Sequence, residues 1–154
     1  MRTLAKMIGP DRLVRLQGKT KAEVLDELIA VLARAPEVRD AEALRRAILE
    51  REAIMSTGIG QGVAVPHARL ETVTDFVAAV GLAPEGIPFD AFDERPVQIV
   101  VMIAGPPRHR EYLQILARLM LVLKHEANRR MLLEARSADE LVATVRRLEE
   151  EGPS

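Results

Sequence analysis

Two short apolar runs constrain this chain most: Phe76-Val77-Ala78-Ala79-Val80-Gly81-Leu82 and Val97-Gln98-Ile99-Val100-Val101-Met102-Ile103. Both are rich in β-branched residues, bounded by turn formers and of strand length. A strand with one wet face alternates apolar and polar residues. These runs barely alternate, so both faces of the sheet they form must be covered. Helices supply the cover. Thr20-Lys21-Ala22-Glu23 is a capping box, opening a helix with Val24, Leu25, Leu28, Ile29, Val31 and Leu32 on one broad face and an end near Pro36. Asp40 is the N-cap of a second helix, through Ala43, Leu44, Ala47 and Ile48 to Arg51. Beyond Pro106-Pro107, Leu113, Leu116, Met120 and Leu123 recur at helical spacing, and a short helix over 128–135 follows. A second box, Ser137-Ala138-Asp139-Glu140, opens a last helix through Leu141, Val142, Val145 and Leu148. A short strand is expected at Leu13-Val14-Arg15-Leu16. The Pro-Glu-Gly segment (84–86) and the Asp-Glu-Arg-Pro segment (93–96) read as turns between the central strands. This order describes an α/β fold with helices on both faces of a sheet.

The 154 residues are the size of a single domain, with enough apolar content to bury a core, and residues 148–154 are expected to form a frayed tail. A net charge of −1 with both signs interspersed gives no footprint for nucleic acid or an anionic membrane. The absence of cysteine excludes disulfides and thiol catalysis and fits a reducing compartment. No apolar run approaches the roughly 20 residues of a membrane span, and no signal-peptide core opens the chain. The expectation is a soluble, cytoplasmic protein.

The chemistry concentrates in Ser56-Thr57-Gly58-Ile59-Gly60-Gln61-Gly62-Val63-Ala64-Val65-Pro66-His67. Glycine permits φ > 0 and lets backbone N–H groups approach an anion. Pro66 stiffens the segment that delivers His67. No lysine follows the glycines as a Walker loop requires, and G-x-G-x-G is not the G-x-G-x-x-G of dinucleotide folds, so nucleotide binding is disfavoured. Two readings of the residue types remain. One is an ordinary turn followed by a structural histidine; the other is an exposed, donor-rich turn beside a histidine suited to phosphoryl chemistry.

The order of motifs adds to this. Leu49-Glu50-Arg51-Glu52, then Ser56 to Gly60, then Gly62 to His67, resembles the phosphorylation site of phosphotransferase-system (PTS) IIA proteins of the fructose–mannitol type, a group that includes a nitrogen-regulatory branch. Ile87-Pro88-Phe89-Asp90-Ala91-Phe92-Asp93 with Pro96-Val97 resembles that family's second signature, and Leu113-Gln114-Ile115-Leu116-Ala117 its third. The resemblance implies a mixed sheet. It also implies a phosphocarrier in which His67 attacks through Nε2, taking a phosphoryl group from the phosphocarrier HPr and passing it to a IIB domain. A neutral imidazole suits that role if an acceptor holds its other nitrogen's proton. Arg51 either forks onto phosphoryl oxygens or serves its helix C-terminus. Ser56 and Thr57, with Gly58 and Gly60, either contact phosphate or stabilise the turn. Arg69 would share a face with His67 if a strand continues past it, as a partner or phosphate contact.

One position departs from the pattern. Tyr112 stands where family members commonly carry a second histidine. A tyrosine can donate to a phosphoryl oxygen but brings no imidazolium charge near neutral pH. His109, three residues upstream, could substitute or could sit in an exposed loop; His125 reads as a C-terminal dipole partner of the same helix. Two roles fit a PTS carrier: transport, through a IIB domain, and regulation, through a target protein. The stand-alone length tilts towards regulation. A module that keeps the fold but is no longer phosphorylated is the alternative from another class. No metal site is expected, because the three histidines are widely separated and no H-E-x-x-H occurs.

Overall fold

The structure, a computed structural model, describes residues 3–9 and 11–151. In chain order the elements are α1 (Leu4–Ile8), β1 (Leu13–Arg15), α2 (Lys21–Leu32), α3 (Ala41–Ile54), β2 (Gly58–Gly60), β3 (Val63–Ala64), β4 (His67–Arg69), β5 (Val77–Ile87), β6 (Val97–Gly105), α4 (His109–Leu123), α5 (Glu126–Leu133) and α6 (Ala138–Glu151). The strands form one sheet in the order β1-β5-β6-β3-β2, with β4 also on β6. It is mixed: β1 runs parallel to β5, β3 and β4 run parallel to β6, and the β5–β6 and β2–β3 pairs are antiparallel.

The central pair explains the layering. Ala78, Val80 and Leu82 of β5, with Ile99, Val101 and Ile103 of β6, join a core with α1, α4, α5 and α6. Their alternate neighbours, Val77, Ala79, Val100, Met102 and Ala104, join a second core with α2 and α3. The period of two deals apolar side chains to both faces, so the runs are continuous in sequence because both sides are dry.

Two of the three expected caps act as their sequences imply, and the third does so in half. Thr20 accepts from the Glu23 N–H while Glu23 returns a bond to the Thr20 backbone, and Asp40 accepts from the Ala43 N–H at 3.0 Å. At α6, Ser137 accepts from the Glu140 N–H at 3.1 Å, but the Glu140 carboxylate reaches the Arg136 N–H instead of completing the box.

Three expectations need correction, and one element was not expected. The buried face of α4 is Tyr112, Ile115, Leu119, Val122 and Leu123, whereas Leu113 and Met120 are exposed; several apolar stripes fit this leucine-rich helix, and packing selected one. Pro84-Glu85-Gly86 is no turn but part of β5, whose pairing with β6 shifts register between Leu82 and Ile87. Pro84 is tolerated because β1 has ended by then, so no ladder partner needs its missing N–H. Residues 148–151 are not frayed. They are helical: Leu148 is buried and the Glu149 carboxylate caps the Leu4 N–H of α1 at 2.9 and 3.1 Å. The rest of the expected tail, 152–154, lies outside the described residues. Finally α1, unanticipated, buries Leu4, Ala5, Met7 and Ile8.

Candidate functional site

His67 opens β4, directly after Pro66, and pairs with Ile103 on β6. The Ile103 N–H donates to the Pro66 carbonyl at 2.9 Å, so the stiff approach to the histidine is itself part of the ladder. The imidazole is half-buried, and its Nδ1 sits 2.9 Å from the Val65 carbonyl oxygen. A carbonyl can only accept, so this contact places the proton on Nδ1 and leaves the Nε2 lone pair free. Burial holds the imidazole below its ordinary pKa. The Val65 bond pulls the other way, the Arg51 and Arg69 charges add to the depression, and the Glu52 carboxylate opposes it. The ring is therefore neutral near neutral pH, the form a nucleophile needs.

Strand alternation turns Arg69 to the same face, and Tyr112 of α4 meets both side chains. Its ring lies 5.1 Å from the His67 ring and 5.0 Å from the Arg69 guanidinium carbon. Tyr112 is 4 % exposed, and its hydroxyl has no hydrogen-bond partner among the described residues. Burial pushes its pKa up to about 12, against the pull of Arg69 and Arg51, so it remains a neutral donor. A buried unpaired hydroxyl is unfavourable by about 1–3 kcal/mol.

Arg51, in the last turn of α3, donates from Nη1 to the Met55 carbonyl at 2.9 Å, which ties down the helix end. Its charge also acts on His67 and Tyr112. His109 is the first residue of α4 and takes a hydrogen bond on Nδ1 from Arg69 Nη1 at 2.8 Å, so it joins the site through Arg69. His125 does not: it lies beyond the end of α4 as the N-cap of α5, an end that disfavours a cation.

The glycine segment is not an exposed, donor-rich turn. Gly58, Gly60 and Gly62 are buried. Gly58 pairs with Ala64 and Gly60 with Val63 in a tight hairpin. The Gly58 N–H donates to Ser56 Oγ and the Gln61 N–H to Asp93 Oδ2. Here the glycines let another segment come close. A Cβ on Gly58 would lie 2.8 Å from the Ala91 Cβ; one on Gly60, at φ +91°, would lie 3.1 Å from the Phe92 ring. Ser56 donates to the Phe89 carbonyl at 2.6 Å, so the 87–93 segment is fastened along the hairpin. Thr57 is buried, and its hydroxyl donates to Glu52. Both hydroxyls therefore serve the fold.

Sequence reasoning passed over Glu52, Lys21 and Asp93. Glu52 sits beside Arg51 in the first motif, and Lys21 inside a capping box; nothing in their spacing announces that they meet. They do, with Lys21 Nζ 2.9 Å from Glu52 Oε2 and 4.9 Å from the centre of the Phe89 ring.

Comparison with known proteins bears on the family and the fold. The family described as "Phosphoenolpyruvate-dependent sugar phosphotransferase system, EIIA 2" matches residues 9–147. A fructose-specific EIIA component of Haloferax volcanii is 38 % identical over 133 residues, 84 % of this chain and 86 % of that protein. A fructose-specific EIIABC component of Bacillus subtilis is 37 % identical over 130 residues, 84 % of this chain but 20 % of that protein, so the chain spans about a fifth of that relative. The crystal structure of nitrogen regulatory protein IIA-Ntr from Neisseria meningitidis superposes with a TM-score of 0.84 at 26 % identity, covering 92 % of this chain and 97 % of that one.

Proposed function

The chain belongs to the EIIA 2 family of the phosphoenolpyruvate-dependent sugar phosphotransferase system, and we propose that it acts there as a cytoplasmic phosphocarrier on His67. An HPr-like phosphocarrier supplies the phosphoryl group; a IIB domain receives it, or a regulatory target reads its presence. The observation that carries this reading is the Nδ1 contact with the Val65 carbonyl, which leaves the Nε2 lone pair free on a ring whose centre lies 5.1 Å from that of Tyr112. Nε2 attacks phosphorus as the bond from phosphorus to the donor breaks. The Nδ1–H···O=C bond meanwhile stabilises the positive charge that builds on the ring.

Phosphoryl transfer depends on positioning and charge neutralisation more than on covalent help from neighbours. Arg51 and Arg69 provide the charge, and Tyr112 the neutral donor that stands in place of a second histidine. Ser56, Thr57, Gly58 and Gly60 build the frame. Ile54 and Met55, both well exposed just past Arg51, offer apolar surface for a protein partner.

The test is phosphoryl transfer from phosphoenolpyruvate through Enzyme I and HPr, run beside His67→Ala. An acid-labile adduct on the wild type, absent from the variant, is expected. A folded wild type that takes no phosphoryl group from a competent HPr of the same organism rejects the carrier and leaves an interaction module. Adding a IIB domain then separates the roles: rapid loss of the adduct supports transport, retention supports regulation.

A further inference from the structure

Near His67 lies a buried acid to which the transfer chemistry assigns no part. Glu52, in the last turn of α3, is 6 % exposed. Its carboxylate accepts the Thr57 N–H at 2.8 Å, the Thr57 hydroxyl, and Lys21 Nζ at 2.9 Å. Taking a carboxylate out of water is unfavourable by several kcal/mol unless its lone pairs are met, and an apolar staple would join α3 to the hairpin at no such penalty. The bonds do not stop at Thr57. Its carbonyl accepts the Val65 N–H at 3.0 Å, and the Val65 carbonyl accepts the His67 Nδ1–H at 2.9 Å. Each link after the first is anchored on main chain, so a displacement of Thr57 carries through to the oxygen that selects the tautomer of His67.

We propose that Glu52 is the positioning residue of this site: acting through Thr57 and Val65, it holds His67 in the Nδ1–H form and keeps Nε2 free to attack. Lys21 neutralises the buried charge and so lets a carboxylate serve there. The assignment rests on His67 being the phosphoryl acceptor, but its first readout does not need phosphoryl transfer.

Imidazole nitrogen-15 NMR, above the pH where the ring titrates, reports the tautomer directly. It would be recorded on the wild type, Glu52→Gln, Thr57→Val and Val145→Ala, the last a core truncation in α6. The wild type should show His67 in the Nδ1–H form. Glu52→Gln and Thr57→Val should populate the Nε2–H form and slow phosphoryl acceptance about 10- to 100-fold, the scale expected when reacting atoms are misplaced. Val145→Ala should lower the melting temperature and change neither. A folded Glu52→Gln protein with wild-type tautomer and transfer rate overturns the proposal. If Glu52→Gln does not fold, Glu52→Asp decides, because it keeps the charge that Lys21 neutralises and withdraws the carboxylate from Thr57; a wild-type tautomer and transfer rate in that variant overturn the proposal. A wild type with the Nδ1–H tautomer but no phosphoryl acceptance would end the carrier reading, and the NMR series would still decide the role of Glu52.

Discussion

The two ends of β6 carry the two halves of one sequence motif, and they do different work. At the start of the strand, the Gly62 carbonyl accepts from Gln98 and Ile99 and the glycine hairpin is locked in place. Five residues on, His67 pairs with Ile103, about 16 Å away at the rise of a strand. At the hairpin end, polar groups are paired: Gln61 alone bonds Asp93 through its N–H and Arg129 through its side chain. Among the described residues, the histidine end has an unpaired hydroxyl on Tyr112, an imidazole that bonds Val65 through Nδ1, and the charges of Arg51 and Arg69. The glycines that draw the eye in the sequence thus lie where polar groups are paired, and the unpaired groups lie at the other end of the strand.

The sharpest way to break this contrast is Gly58→Val. The added side chain would meet Ala91 backbone and Cβ, neither of which can swing away. It should destabilise the fold by roughly 1–3 kcal/mol in denaturant unfolding while the folded fraction still accepts phosphate. Full stability with lost acceptance would reinstate the hairpin as a phosphate contact. Tyr112→Phe tests the other end with opposite signs. Removing an unpaired buried hydroxyl should raise stability, by up to about 1–3 kcal/mol, while phosphoryl acceptance slows about tenfold, the loss of one transition-state hydrogen bond. Slower acceptance accompanied by lower stability would mean that the hydroxyl has a structural partner.

The smallest effect is on pH dependence. Because burial holds His67 below its ordinary pKa, the unfolded chain binds this proton first as pH falls. Stability should therefore be complete above about pH 6.5 and decline below it until the folded imidazole titrates. Unfolding measured across that range should show a shallower decline in His67→Ala; equal slopes would place the imidazole in a water-like setting.

Much of this could be read from the residues. The two apolar runs became the two central strands, with both faces covered, because a strand buried on both sides has no polar side to show. Thr20 and Asp40 cap as their types require, since capping is settled within four residues. Local patterns failed where distant partners decide. Leu113 and Met120 fit a helical stripe as well as Tyr112 and Leu119 do, and only the neighbouring layer chose between them, while Leu116 and Leu123 of the expected stripe pack on the core. Pro84-Glu85-Gly86 looked like a turn but extends a strand, because β6 continues beside it.

What the sequence determined alone was the layered α/β architecture, most helix starts, and a histidine delivered by a stiff Val-Pro segment behind a glycine run. These follow from periodicity, capping and backbone restriction, which act over a few residues. What only the tertiary structure decided was the site's electrostatics and satisfaction. Arg69 and Tyr112 meet across 43 positions of sequence, as do Lys21 and Glu52 across 31. A group's pKa, its hydrogen-bond partner and its freedom to bind a ligand depend on what surrounds it in space, and that follows from how the layers pack.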